Sequence, residues 1–284
     1  MKIDSHQHFW RYNPARDAWI TDEMALLKHD FFPEQFAKEC AANRIDASVA
    51  VQADQSENET NFVLDLARKN RRIAGVVGWV DLLSPHVAKR LEYFSHFEKL
   101  RGFRHIAQAE KDDRFLARDD FVNGVAQLRP FGFTYDILIY ARQLPAAIDL
   151  VSHLPEQRFV IDHIAKPEIK AKKTEPWAAQ MRQIAQNKNV FCKVSGIVTE
   201  ADWHTWKGED FKPYLDVVFE AFGAERLMFG SDWPVCLVAA SYRQVKQLIE
   251  DYVKGFSEGD KGKIFGGTAA RFYGLKAAQH GFAA

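Results

Sequence analysis

Cysteine is scarce, with Cys40, Cys192 and Cys236 the only three in 284 residues. They are scattered, odd in number and form no Cys-x-x-Cys pair, which argues against a disulfide frame or a structural zinc knuckle. Buried free thiols in a reducing compartment are expected instead. An excess of one charge is also missing. Lys+Arg and Asp+Glu stand at 38 each, with no basic block, so neither nucleic acid nor an anionic membrane is an expected partner. A small molecule is the default. No apolar run approaches the roughly 18 residues that a bilayer span needs. The opening Met1-Lys2-Ile3-Asp4-Ser5-His6 lacks the apolar stretch of a signal peptide, so a cytoplasmic location is expected. No Gly-x-Gly-x-x-Gly turn follows the first strand, which removes the commonest reason to expect a doubly wound nucleotide-binding sheet.

What is present is a regular alternation. Hydrophobic residues make up 47% of the chain and charged residues 27%, enough for a sizeable core. The length suits one domain over residues 1–284. Short β-branched and aromatic runs fall at 2–9, 47–53, 73–80, 100–106, 133–139, 158–164, 190–194 and 226–229. Amphipathic, charged stretches lie between them, at 33–43, 57–70, 85–98, 119–129, 143–153, 176–187, 212–222 and 241–254. Pro33, Pro85 and Pro176 sit where a first helical turn tolerates proline, and Asp119 is placed to cap. Eight strand–helix units imply an α/β fold of parallel strands joined by right-handed crossovers, most simply closed into a (β/α)8 barrel. The connection from Trp10 to Phe32 is long and aromatic. It is either a functional mouth loop or one that packs its own rings. The basic stretch 166–173 reads as a solvated loop.

Three local signals carry chemistry. In Asp4-Ser5-His6-Gln7-His8 the two histidines are two apart in a strand and project together. Paired imidazoles suit a divalent metal or an oxyanion. Asp232, in Phe229-Gly230-Ser231-Asp232-Trp233-Pro234, leaves the eighth strand on a small-residue turn; it is either an Asx-turn or a carboxylate aimed at the barrel axis. Closure makes strands one and eight neighbours, so His6, His8 and Asp232 can meet. His163 ends strand six. Gln52, Trp79, Arg104, His105, Asp136, Lys193 and Ser195 stand at other strand ends, and charged side chains there suggest a polar pocket.

These segments, with 101–105, 161–167, 190–196 and the closing 271–275, resemble the amidohydrolase-2 branch of the amidohydrolase superfamily. Within it they are most similar to the sugar-lactone and muconolactone-type lactonases. The resemblance implies a barrel hydrolase that opens a lactone to its hydroxy acid. Asp232 would then handle the proton of the attacking water, with His163 beside it. His6, His8 and Asp232 would hold a divalent cation, zinc first; metal-free catalysis also stays open. Arg104, His105, Gln52, Lys193, Trp79 and Trp10 would surround the substrate, with Trp10 and Trp79 stacking on its ring and Arg104 pairing a substrate carboxylate. A metal-dependent decarboxylase and a non-catalytic sugar-acid binder are the alternatives, and a homo-oligomer is allowed. Two departures stand out. Thr268 replaces a usual asparagine and is expected to cap the last helix. Strands four and five lack the bridging lysine or glutamate of two-metal relatives and the strand-five histidine of many single-metal ones, so a two-metal centre is not expected.

Overall fold

The computed structural model describes residues 1–275. Eight parallel strands form one sheet in sequence order: β1 (Ile3–Gln7), β2 (Ala47–Val51), β3 (Ile73–Gly78), β4 (Leu100–His105), β5 (Thr134–Ile137), β6 (Phe159–Ile161), β7 (Val190–Val194) and β8 (Leu227–Phe229). The sheet closes just past β8. There the His8 N–H donates to the Trp233 carbonyl at 2.7 Å and the Asp232 N–H to the His6 carbonyl at 2.8 Å. Around it lie α1 (Pro33–Asn43), α2 (Glu57–Lys69), α3 (Val87–Ser95), α4 (Asp119–Ala126), α5 (Leu144–His153), α6 (Trp177–Ile184), α7 (Gly208–Phe222) and α8 (Tyr242–Tyr252), followed by α9 (Glu258–Gly262) and α10 (Thr268–Tyr273). This is the expected (β/α)8 barrel. No described helix is long and apolar enough to cross a membrane.

Several local expectations shift. Asp119 opens the first turn of α4 rather than capping it; Arg118 holds the cap position with no side-chain bond. Thr268 does not cap α10 either. Its hydroxyl donates to the Ala224 carbonyl at 3.1 Å, tying α10 to the turn before β8. Strand six stops at Ile161, because residues 163–166 all take the left-handed conformation. The long Trp10–Phe32 connection does pack its own rings: Trp10 bridges to Phe31, bonds the His29 carbonyl through its indole, and stacks edge-on against Trp19 and Phe31. All three cysteines are buried and free.

The barrel interior is layered. Ile3, Val49, Val51, Val77, Val160 and Met228 pack with Ala269, Phe272 and Tyr273 of α10 into an apolar floor. A larger apolar cluster joins the outer face of the sheet to the helices. Above the floor come charged side chains, and above those the imidazoles. One irregularity in β1 makes that order possible. Asp4 pairs with Ser48 and Gln7 with Ala50, so three steps on β1 match two on β2. That extra residue is a bulge, and it reverses the alternation between Ile3, which belongs to the floor, and His6. Without it, a strand with Ile3 inside would turn both histidines outward. Asp4 is thereby left facing away from the axis, where it accepts from the Ser231 N–H at 2.9 Å and from the Tyr242 hydroxyl of α8, also at 2.9 Å. These bonds lock β1 to the turn that carries Asp232.

Candidate active site

Four side chains from three strand ends converge at the barrel mouth. His8 Nε2 lies 3.1 Å from His6 Nε2 and 3.4 Å from Asp232 Oδ1. Asp232 Oδ1 is also 3.8 Å from His6 Nε2 and 3.8 Å from His163 Nε2. All four residues are buried. Backbone geometry aims them: Asp232 sits at φ +59°, and His163 at φ +54° opens a left-handed turn through Ile164, Ala165 and Lys166. Consecutive left-handed non-glycine residues are costly. Packing holds this turn in place, with Ile164 buried and its carbonyl bonded by the Trp177 indole at 2.8 Å.

Beneath the imidazoles lies a fully buried charged layer. Lys193 Nζ donates to Asp136 Oδ2 at 2.6 Å and stands 3.0 Å from Asp162 Oδ1. Arg104 Nη1 donates to Asp162 Oδ2 at 3.1 Å, while Nη2 donates to the Gln52 carbonyl at 2.5 Å. The Tyr273 hydroxyl rises from α10 to Asp136 at 2.7 Å. Burial raises the Asp136 carboxyl to about 6; Lys193 opposes the rise and Asp162 adds to it. Burial pushes Asp162 upward as well, but Lys193, His6 and Arg104 outweigh it and keep its carboxyl well below the usual range. Asp162 is therefore the fixed anion of the layer.

Charge at the mouth follows the same logic. Burial lowers His6 well below the ordinary imidazole value, against the pull of Asp162. Burial lowers His163 to about 4, with Asp232 and Asp162 opposing and Lys166 and Arg104 assisting. Both are neutral at pH 7. Burial would raise Asp232, yet the neighbouring His163, His8 and His6 imidazoles outweigh it and keep it below the normal carboxylate range. The neutral-pH state is an Asp232 anion beside neutral His6 and His163.

The donor set fits a single cation. His8 Nδ1 lies 2.8 Å from the Val51 carbonyl, which can only accept, so that nitrogen carries the proton and Nε2 offers its lone pair. Asp162 Oδ1 is buried, 3.0 Å from Lys193 Nζ and 3.3 Å from His6 Nδ1. When His6 Nδ1 carries a proton it donates to that carboxylate, and its Nε2 lone pair faces that of His8. This is the carboxylate–histidine arrangement that orients metal ligands. Two lone pairs and a carboxylate oxygen at 3.1–3.8 Å match the spacing that zinc ligands at ~2.0–2.2 Å from the ion require. His6, Asp162 and His163 form a second possible grouping.

The remaining expected site residues divide by strand parity. Gln52 is buried, its amide donating to the Arg104 carbonyl at 3.0 Å. Arg104 and Lys193 reach the axis but lie below the mouth, 3% and 0% exposed, with their charges already paired. Both also touch His6, Arg104 Nη1 at 3.3 Å from Nε2 and Lys193 Nζ at 3.2 Å from Nδ1. His105 alternates outward from Arg104, pairs Glu110 at 2.7 Å and stacks on Phe115. Neighbours on a strand cannot both face in. Trp10 lies 1% exposed in its own loop cluster and does not line the mouth. Trp79, two residues past the inward Val77, stays half-buried at the rim with its indole nitrogen unpaired among the described residues. Ser195, expected only as a strand-end polar residue, places its hydroxyl 2.9 Å from His163 Nδ1. Lys166, in the stretch expected to be solvated, and Glu200, after β7, are both largely enclosed. The sequence signal for Lys166 is its spacing of three from His163 in a tight turn.

Gly196 gives a direct test of His163 placement. It sits at φ +58°, and a Cβ there would stand 2.3 Å from His163 Nδ1. Gly196→Ala is therefore expected to displace the ring and lower turnover at least ~10-fold, with the chain still folded by circular dichroism. Wild-type turnover in that variant would remove His163 from the reaction.

This arrangement of histidines at the end of β1, an aspartate after β8 and a closed parallel barrel defines an amidohydrolase, and the profile of the amidohydrolase family matches residues 3–275; the chain belongs to that family. Across nearly its whole length it is 42% identical to an L-fucono-1,5-lactonase of Burkholderia multivorans, covering 97% of this chain and 96% of the relative. It is 32% identical to an L-fucono-1,5-lactonase of Burkholderia ambifaria, covering 96% and 95%. A crystal structure of a Burkholderia multivorans amidohydrolase with bound zinc superposes with a TM-score of 0.94 at 42% identity, covering 97% of this chain and 100% of that one.

Proposed function

We propose that the protein hydrolyses a six-membered sugar-acid lactone to its open hydroxy acid. The observation that carries the reading is the ionised Asp232 carboxylate set 3.4–3.8 Å from three imidazole nitrogens at the barrel mouth. The lactonase names of the Burkholderia relatives support the substrate class.

In this reading Asp232 Oδ1 accepts a hydrogen bond from water and takes its proton as the water oxygen attacks the ester carbonyl. His163 Nε2–H, with Nδ1 accepting from the Ser195 hydroxyl, donates to the oxyanion that forms. Asp232 returns the proton to the ring oxygen as the carbon–oxygen bond breaks, leaving a hydroxyl and a carboxylic acid that ionises. His6, His8 and Asp232 would hold one divalent cation, zinc by the donor set and by the zinc-bound relative. Such an ion supplies carbonyl polarisation and a more acidic water. Asp162 fixes the His6 proton, and Val51 fixes that of His8.

A decarboxylase would need a free cationic side chain for an acidic substrate. Arg104 and Lys193 are committed to Asp162, Asp136 and Gln52, and Lys166 faces the Glu200 carboxylate, so the geometry does not favour that reading. A panel of lactones with a pH indicator, run before and after chelation, provides the test. Acid release is expected on L-fucono-1,5-lactone. Zinc at about one per chain is expected, with activity falling at least ~10-fold on chelation and returning with zinc. A protein that opens no lactone ends the proposal.

A further inference from the structure

The turn that carries His163 also brings a second charged pair to the mouth. Lys166 ends that turn, and Glu200 ends a 3-10 turn (Val198–Glu200) after β7. The two loops are fastened by the Lys170 N–H donating to the Glu200 carbonyl at 2.9 Å. Both side chains are largely enclosed, 15% and 20% exposed, with Lys166 Nζ 3.7 Å from Glu200 Oε1. That separation exceeds a hydrogen bond, and Lys166 Nζ makes none to any described residue. The Tyr140 ring, its centroid 5.4 Å from Nζ, steadies the ammonium from another side. Lys170, Lys172 and Lys173 of the same stretch are 71%, 82% and 57% exposed; they are solvated as expected, and Lys166 is not. Both partners also sense the site. Lys166 contributes to the lowering of His163, and Glu200, raised mainly by burial, is raised further by Asp232.

We infer that Lys166 and Glu200 form a hydroxyl-binding subsite that selects neutral polyhydroxylated lactones over bare or anionic ones. The inference rests on the lactone reading and extends it to substrate selection. A hydroxyl donates and accepts at once, so one ring oxygen lodged between Nζ and Oε1 satisfies both across the gap. A ring carboxylate could meet Lys166 only while facing the Glu200 and Asp232 anions. A bare ring gains nothing from the pair, which keeps its own 3.7 Å contact and the Thr199 hydroxyl on Glu200 Oε1, whereas a hydroxylated ring adds two charge-assisted hydrogen bonds.

Lys166→Met and Glu200→Gln test this. L-fucose supplies a pyranose ring bearing hydroxyls and no ester, so its binding by calorimetry is independent of turnover. In each variant L-fucose binding is expected to weaken, and KM for L-fucono-1,5-lactone to rise, by about 10- to 100-fold, with kcat within about threefold. On δ-valerolactone, kcat/KM should stay within about twofold of wild type, since no hydroxyl contact exists to lose. Unaltered L-fucose binding in both variants, no binding in the wild type, or an equal loss on δ-valerolactone would overturn the subsite. A wild type that opens neither lactone, but whose L-fucose binding weakens in the variants, would refute the lactone reading and leave the subsite standing.

Discussion

Asp232→Asn is expected to lower kcat by at least ~10²-fold, the usual contribution of a positioned general base. Asparagine keeps the shape of the side chain and tolerates the left-handed backbone at φ +59°, so the fold should survive. What it loses is the capacity to take a proton. Thermal melting controls for folding, and zinc content measured alongside separates loss of the base from loss of a ligand. Near-normal turnover in the folded variant would remove Asp232 from the mechanism, and with it the reason for the convergence at the mouth.

Lys193→Met should be the most destabilising single change at the site. Lys193 is fully buried between two carboxylates, 2.6 Å from Asp136 and 3.0 Å from Asp162. Removing one partner of a buried ion pair leaves an uncompensated charge and costs about 3–5 kcal/mol; here two anions are left. A fall in the melting midpoint on the order of 10 °C is expected. Adding Asp136→Asn should recover part of the loss, because the remaining Asp162 still has Arg104 at 3.1 Å. If the double variant melts no higher than Lys193→Met alone, charge imbalance is not the cause. Lys193 stands 3.2 Å from His6 Nδ1, so activity should fall in both variants, without any direct contact between Lys193 and substrate.

Alternating apolar runs and amphipathic stretches are local patterns, and they placed the eight strands and the main helices. His6 and His8 share a face because a strand repeats every two residues. The same rule shows why Arg104 and His105 cannot both point inward, and His105 indeed turns out to Glu110 and Phe115. Trp10 follows a different cause: a long loop can satisfy its own aromatics, and this one does. Lys193 looked like a binding residue because its pairing with Asp136 and Asp162 joins strands five, six and seven, a relation that no single strand reveals.

The order of residues alone determined the barrel class, the two histidines on β1 and the aspartate after β8, since each depends on periodicity or on short turns. Only tertiary structure decided which charges stand at the barrel mouth and which are paired beneath it. A bulge in β1 sets the inward face, and a left-handed turn after β6 carries His163 and Lys166 to the rim. Both arise from closing the cylinder, where backbone strain in a few residues is outweighed by packing contributed from distant parts of the chain.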